Sequence, residues 1–329
     1  MAGPQMLEFL RTIAERLFKK LADEKQPDWK WHQEVVNCLA SLAQTAASCD
    51  DFELVHRIGL NLERSRGRNN ARHADCCGRA LGDLLTPGAA ERLVELYLEK
   101  RDDLGWARIV APLLKWLGLT GAEKVFERLE KETVASNRMR LMRLFTQLGP
   151  ARMEAARKRL ADERWYVLRN ACYVMGDTGD PGLPSQLRAA LRHPDVRVQQ
   201  AAVNAIIRSE APDRARVLAE SLPYLKAHVQ EMTLFELTFL KDPRCIEGLE
   251  QLILTNKGSN ALALERAVRV LATIPSARAL EALGKVLFDA GQALPVRKAA
   301  LEALNRSPFA LARRLLAEFA HLAPSGLRP

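Results

Sequence analysis

Aromatic residues supply only 6% of the 329-residue chain, and strand-forming types are outnumbered by Leu, Ala, Arg and Glu, so the composition favours helix. No apolar run approaches the eighteen or so residues that a membrane span needs. Glu8 and Arg11 interrupt the stretch where a signal peptide would keep its apolar segment. The cysteines (Cys38, Cys49, Cys76, Cys77, Cys172 and Cys245) never form a Cys-x-x-Cys pair, which leaves no zinc pattern and no disulfide framework. Cys76 and Cys77 beside His73 are read as small apolar residues rather than as a metal nest. The expectation is a cytoplasmic protein with reduced thiols. With 18 glycines and 16 prolines the chain is neither collagen-like nor of low complexity, and 48% hydrophobic with 27% charged residues describes a folded protein.

Catalytic signatures are missing too. There is no His-Glu-x-x-His, no Gly-x-Ser-x-Gly, no phosphate loop and no dinucleotide fingerprint. The six histidines do not recur beside a carboxylate at any fixed spacing. The sequence thus gives no catalytic residue, no metal ligand set, no cofactor and no small-molecule substrate.

Positive charge is what the chain has in excess: 49 Lys and Arg against 40 Asp and Glu, a net +9. The excess is mild overall but uneven. Residues 137–170 hold nine basic residues (Arg138, Arg140, Arg143, Arg152, Arg157, Lys158, Arg159, Arg164 and Arg169) against three acids. A second run, 64–79, holds five arginines against Asp75 alone.

The strongest pattern is internal repetition. An apolar residue, a small residue and a larger apolar residue recur four apart: Val167, Ala171, Met175; Val198, Ala202, Ile206; Val229, Thr233, Leu237; Ala263, Ala267, Leu271; Val296, Ala300, Leu304. Successive copies are 31, 31, 34 and 33 residues apart. Such a stripe is one face of a helix, and the small middle residue lets a neighbour approach closely. Each copy follows a second amphipathic segment, for example 183–193, 215–225, 245–255 and 277–288, across turns containing proline or glycine. Upstream, Gly82, Gly118, Gly149 and Gly176 each follow a Leu or Met and are expected to end helices in the left-handed conformation. Segments 6–22, 29–46 and 52–65 also read as helices, about nineteen in all, with no convincing strand. Of Trp29 and Trp31, two apart on a helix, one is expected in the core and the other partly exposed.

Asp195, Val196-Arg197 and Ala201-Ala202, with Val296-Arg297 and Ala299-Ala300 in another copy, resemble the HEAT-repeat superfamily. The turn aspartate is absent from that second copy. The resemblance covers about 150–305 and weakens upstream. It implies an all-α fold, an α-solenoid of roughly nine HEAT-like helix pairs in a right-handed superhelix. Residues 1–136 would form divergent repeats, 137–306 HEAT-like repeats and 307–329 a capping helix and tail, in one continuous solenoid. It further implies that second helices line a concave face. The residues expected there are Arg138, Arg143, Gln147, Tyr166, Arg169, Asn170, Tyr173, Gln199, Gln200, Asn204, Arg266, Arg269, Arg297 and Lys298. Against this stands a structural role for individual arginines, with Arg197 pairing with Asp195 and Arg169 with Asp162.

The superfamily includes a di-iron hydroxylase whose repeats carry His-Glu pairs, and this chain has no adjacent His-Glu. It also includes glycosylases that remove alkylated DNA bases. Trp106, Trp116, Trp165, Asp102, Asp103 and Arg169 are the residue types such chemistry uses, without a residue-by-residue match. The preferred reading is a non-enzymatic scaffold that binds a protein partner on the concave face, away from membranes. The alternative is a nucleic-acid binder that tracks phosphates with the basic cluster.

Overall fold

A computed structural model of the chain describes residues 4–22, 28–68, 71–100, 103–176, 179–256 and 260–322. It is 80% helical, with twenty α-helices and no strand among the described residues. The helices form two compact units, residues 1–158 and 159–329.

The first unit contains α1 (Pro4–Ala22), α2 (Trp29–Ser48), α3 (Phe52–Arg68), α4 (Ala71–Gly82), α5 (Pro87–Glu99), α6 (Leu104–Trp116), α7 (Leu119–Lys131), α8 (Ala135–Thr146) and α9 (Ala151–Arg157). The starts of α2, α5 and α6 are fixed by side chains that accept otherwise orphaned backbone N–H groups. Asp28 accepts from Lys30, Thr86 from Ala89 ahead of Pro87, and Asp103 from Trp106. α2 packs on α1, α3 and α4, while α6 packs on α3, α5 and α7. Two glycines make close approaches possible: a Cβ on Gly59 would sit 2.2 Å from the Trp116 ring, and one on Gly121 2.1 Å from the Leu114 carbonyl oxygen. Gly118 (φ 58°) and Gly149 (φ 66°) have the expected positive φ, but Gly118, with ψ −124°, lies outside the left-handed helical well and leads into α7 instead.

The second unit contains α10 (Trp165–Met175), α11 (Leu183–Gln186), α12 (Arg188–Leu191), α13 (Val196–Arg208), α14 (Arg214–Ser221), α15 (Ala227–Leu240), α16 (Ile246–Thr255), α17 (Ala261–Ala272), α18 (Ala277–Phe288), α19 (Leu294–Arg306) and α20 (Ala310–Leu322). All fifteen residues of the repeated stripe are at most 3% exposed. Neighbouring second helices touch in sequence order, α10 on α13, α13 on α15, α15 on α17 and α17 on α19. The first helices do likewise, from α14 through α16 and α18 to α20. This is the α-solenoid mode: no pair buries its stripe alone, so each shares a core with the next.

Several local expectations are corrected. Segment 183–193 is not one helix but α11 and α12, with Leu187 (φ −91°, ψ 4°) between them. Segment 215–225 ends its α-helix at Ser221 and continues as a 3-10 turn over Leu222–Tyr224, where Pro223 has no N–H to continue the ladder. Gly82 and Gly176 are not among the positive-φ glycines. Gly176 instead makes room for α13, since a Cβ there would lie 2.9 Å from the Ala205 Cα. Trp29 and Trp31 are both half-buried rather than split between core and surface. Arg72 covers the Trp29 ring at 4.1 Å, and His73 meets it edge-on.

Candidate partner-binding face

The second helices of the 159–329 unit present their outer side in a fixed register. Two, six and ten residues beyond the first core residue lie about half a turn away from the buried stripe. Those positions hold Arg169 and Tyr173 on α10, and Gln200, Asn204 and Arg208 on α13. α15 contributes Glu231, Phe235 and Phe239, α17 Glu265 and Arg269, and α19 Lys298, Glu302 and Arg306. All are half-buried or exposed. Contacts between helices confirm the alignment. Arg208 on α13 donates to the Tyr173 carbonyl at 2.8 Å and lies over the Tyr173 ring at 4.8 Å. Arg266 on α17 pairs with Glu231 on α15 at 2.9 Å.

At one end of this face Trp165 lies beneath two guanidinium groups, Arg197 at 3.3 Å and Arg169 at 5.1 Å from its ring centroid. Tyr166 meets the same indole edge-on. The Arg197 guanidinium is held by Asp195, which also caps α13 by accepting from the Arg197 backbone N–H. The hydrogen bond from Arg197 is the main reason that the Asp195 carboxyl drops to about 2. The same two-residue device recurs where Arg164 holds Asp162 and Arg244 holds Asp242, each carboxyl depressed chiefly by its arginine. The expected Arg197–Asp195 pair therefore forms. Arg169 does not pair with Asp162, because Arg164 occupies that carboxylate, and donates instead to Asn170 Oδ1 at 2.8 Å.

Of the residues expected on the face, Tyr166, Arg169, Tyr173, Gln200, Asn204, Arg266, Arg269 and Lys298 are at least partly exposed in the second unit. Asn170 is 5% exposed and engaged by Arg169, so it does not face outward. Gln199 is buried, bonded to the His193 and Tyr224 carbonyls and the Lys226 N–H. Arg297 turns to the Leu287 carbonyl at 3.0 Å and away from the outer stripe. Arg138 and Arg143 belong to the first unit. There Arg138 donates to the Glu132 and Thr133 carbonyls, while Arg143 is exposed with no acidic partner among the described residues.

Much of the basic cluster likewise has local work. Arg140 holds the Tyr97 and Leu98 carbonyls, Arg152 the Thr146 carbonyl, and Lys158 pairs with Glu123.

The sequence reading missed the centre of the face. Phe235 and Phe239 are 62% and 66% exposed and pack edge-to-face at 4.9 Å on α15, with Leu262 exposed on α17. A signal was present: segment 227–240 is apolar on its outer side as well as its inner one, unlike the other copies.

The other candidate chemistries find less. Trp106 is buried under Lys100 and Trp116 is packed on Gly59, while Asp102 lies outside the described residues. Cys76 and Cys77 are buried, and burial pushes both thiols up. His32 lies perpendicular to His73 at 4.4 Å, and burial, then the neighbouring His73, pushes its imidazole down. Among the described residues no three His, Cys, Asp or Glu side chains converge as a metal ligand set.

Residues 153–224 match the family model described as HEAT repeats. No curated protein matches the chain. Among solved structures, human deoxyhypusine hydroxylase in complex with glycerol is 16% identical, covering 95% of this chain and 100% of that one, with a TM-score of 0.33. Two engineered proteins, each 17% identical, cover 92% and 89% of this chain and 92% and 97% of their own, with TM-scores of 0.22 and 0.21. TM-scores this low carry no argument about chemistry.

Proposed function

We propose that this HEAT-repeat protein is a non-enzymatic scaffold that binds a protein partner on the outer side of α10, α13, α15, α17 and α19, in the cytoplasm. The observation that carries the reading is the Phe235–Phe239 pair, exposed in the middle of a polar wall. Two large rings paired in water on one helix face form an exposed apolar patch of the kind that marks interaction sites. Aromatic anchors ringed by Arg, Asn and Gln are the usual make-up of a protein interface, where a few central residues supply most of the affinity. Tyr173, Asn204, Arg269 and Lys298 flank the pair in the same register, with Arg266 one position beside it.

A phosphate-tracking face suits the residues less well. Arg164, Arg197 and Arg244 are each neutralised by an aspartate two residues away, and Arg266 and Arg269 by Glu231 and Glu265. The aromatic pair has no role in neutralising phosphates.

The test is affinity capture from the native host with quantitative mass spectrometry, comparing wild type with the Phe235→Ala/Phe239→Ala variant. A protein recovered in stoichiometric amount by wild type and lost from the variant is the expected result. A duplex gel shift at low salt that survives the variant and vanishes with Arg269→Glu/Lys298→Glu would replace this reading with the nucleic-acid one.

A further inference from the structure

The first unit holds a groove that the partner face does not involve. Along α3, His56, Gly59, Glu63 and Arg66 fall at helical spacing on one side. α6 answers with Arg108, Ala111-Pro112 and Lys115-Trp116. The missing side chain at Gly59 lets the Trp116 ring seat directly on α3. With α6 anchored on α3, α5 and α7, a cavity of about 650 Å³ opens beside Gly78 and Leu81 near the end of α4. Its volume lies within the range of ligand sites, roughly 300–1,000 Å³.

Three features of the lining specify an occupant. First, its cations outnumber its acids: Arg66, Arg108 and Lys115 line it against Glu63 alone. Arg66 lies 4.0 Å from Glu63, and Arg108 and Lys115 have no acidic partner among the described residues. Second, Ala111, Pro112 and Trp116 give it an apolar wall. Third, Pro112 lies within α6 and, having no N–H, cannot close the helical bond to the Arg108 carbonyl on the groove-lining stretch.

Carboxylates answer the cations, an apolar side chain answers the wall, and a backbone N–H answers the carbonyl. We infer that the groove beside α4 and α6 binds an acidic peptide segment in which an apolar residue is flanked by carboxylates. The chain then has a second binding site, independent of the Phe235–Phe239 face.

Fluorescence anisotropy at low salt tests this on the full chain, with a fluorescein-labelled peptide of two leucines flanked by glutamates. Wild type should bind it saturably, with or without Phe235→Ala/Phe239→Ala. The Arg108→Glu/Lys115→Glu variant should lose at least tenfold in affinity, and replacing the peptide leucines with serine should cost a similar factor. Arg16→Glu/Lys19→Glu on α1 makes the same change in net charge and should leave affinity within twofold, with circular dichroism checking the fold of each variant. Absence of binding to wild type would overturn the inference. So would equal losses in the two charge-reversed variants, equal affinity for the serine peptide, or a loss of peptide affinity in the phenylalanine variant.

Discussion

The two units use one building principle and arrive at different surfaces. In the 159–329 unit the repeat length stays near constant, so outer positions of α10, α13, α15, α17 and α19 line up and make a continuous face. In the 1–158 unit spacing is irregular and glycine decides the packing: Trp116 sits on Gly59, α6 leans on α3, and a groove remains. Regular repeats make walls, and departures from the repeat make pockets. Some basic residues differ as well. Arg164, Arg197 and Arg244 of the second unit are each held beside an aspartate two residues away, whereas Arg108, Lys115 and Arg143 of the first have no acidic partner among the described residues.

The comparison breaks first at the core. Leu237→Ala removes a fully buried member of the repeated stripe and should destabilise the chain by about 2–5 kcal/mol in urea denaturation. Leu262→Ala, at an exposed site one residue before the corresponding stripe, should stay within about 0.5 kcal/mol. Equal effects would mean that the stripe is not the shared core.

In the first unit, Gly59→Ala drives a Cβ into the Trp116 ring and should cost about 1–3 kcal/mol by the same measurement. Gly67→Ala, on the same helix with nothing within 4 Å, should be neutral or stabilising by about 0.5–1 kcal/mol. If both cost alike, helix propensity rather than the Trp116 contact governs Gly59.

Acid should separate the units next. His32 and His56 have imidazoles pushed down, in each case chiefly by burial. The stability they contribute is complete above the unfolded value of about 6.5 and is lost as pH falls through their lower folded values, since the unfolded chain binds the protons first. Asp195 is depressed to about 2. Its contribution persists down to the unfolded value near 3.9 and disappears only as pH falls towards 2. Hydrogen exchange resolved by peptide and corrected for intrinsic rates should therefore show α2 and α3 loosening at milder acidity than α13. The reverse order would contradict these assignments.

The smallest stability effect is expected at the most consequential surface. Phe235→Ala/Phe239→Ala should move the urea midpoint little, because both rings are already in water.

Much of this architecture was legible in the sequence. Val198-Ala202-Ile206 and its copies announce themselves because a buried stripe obeys the helical period, and Asp195 with Arg197 is legible because the pair is local. What escaped depends on partners distant in sequence. Nothing near Trp165 says that Arg197 will cover it from α13. Gly176 reads as a helix stop until the Ala205 backbone is placed beside it. Phe235 and Phe239 were overlooked because apolar residues in a helix are assigned inward, and only the neighbours of α15 reveal which side remains open.

The most direct test of the central claim places a photo-crosslinking p-benzoylphenylalanine at Phe235 and, separately, at Gln251, exposed on α16 among the first helices. Irradiation in the native host should give one protein adduct of defined mass from position 235 and none from position 251. Adducts of equal yield from both positions, or from neither, would contradict a partner face built on the second helices.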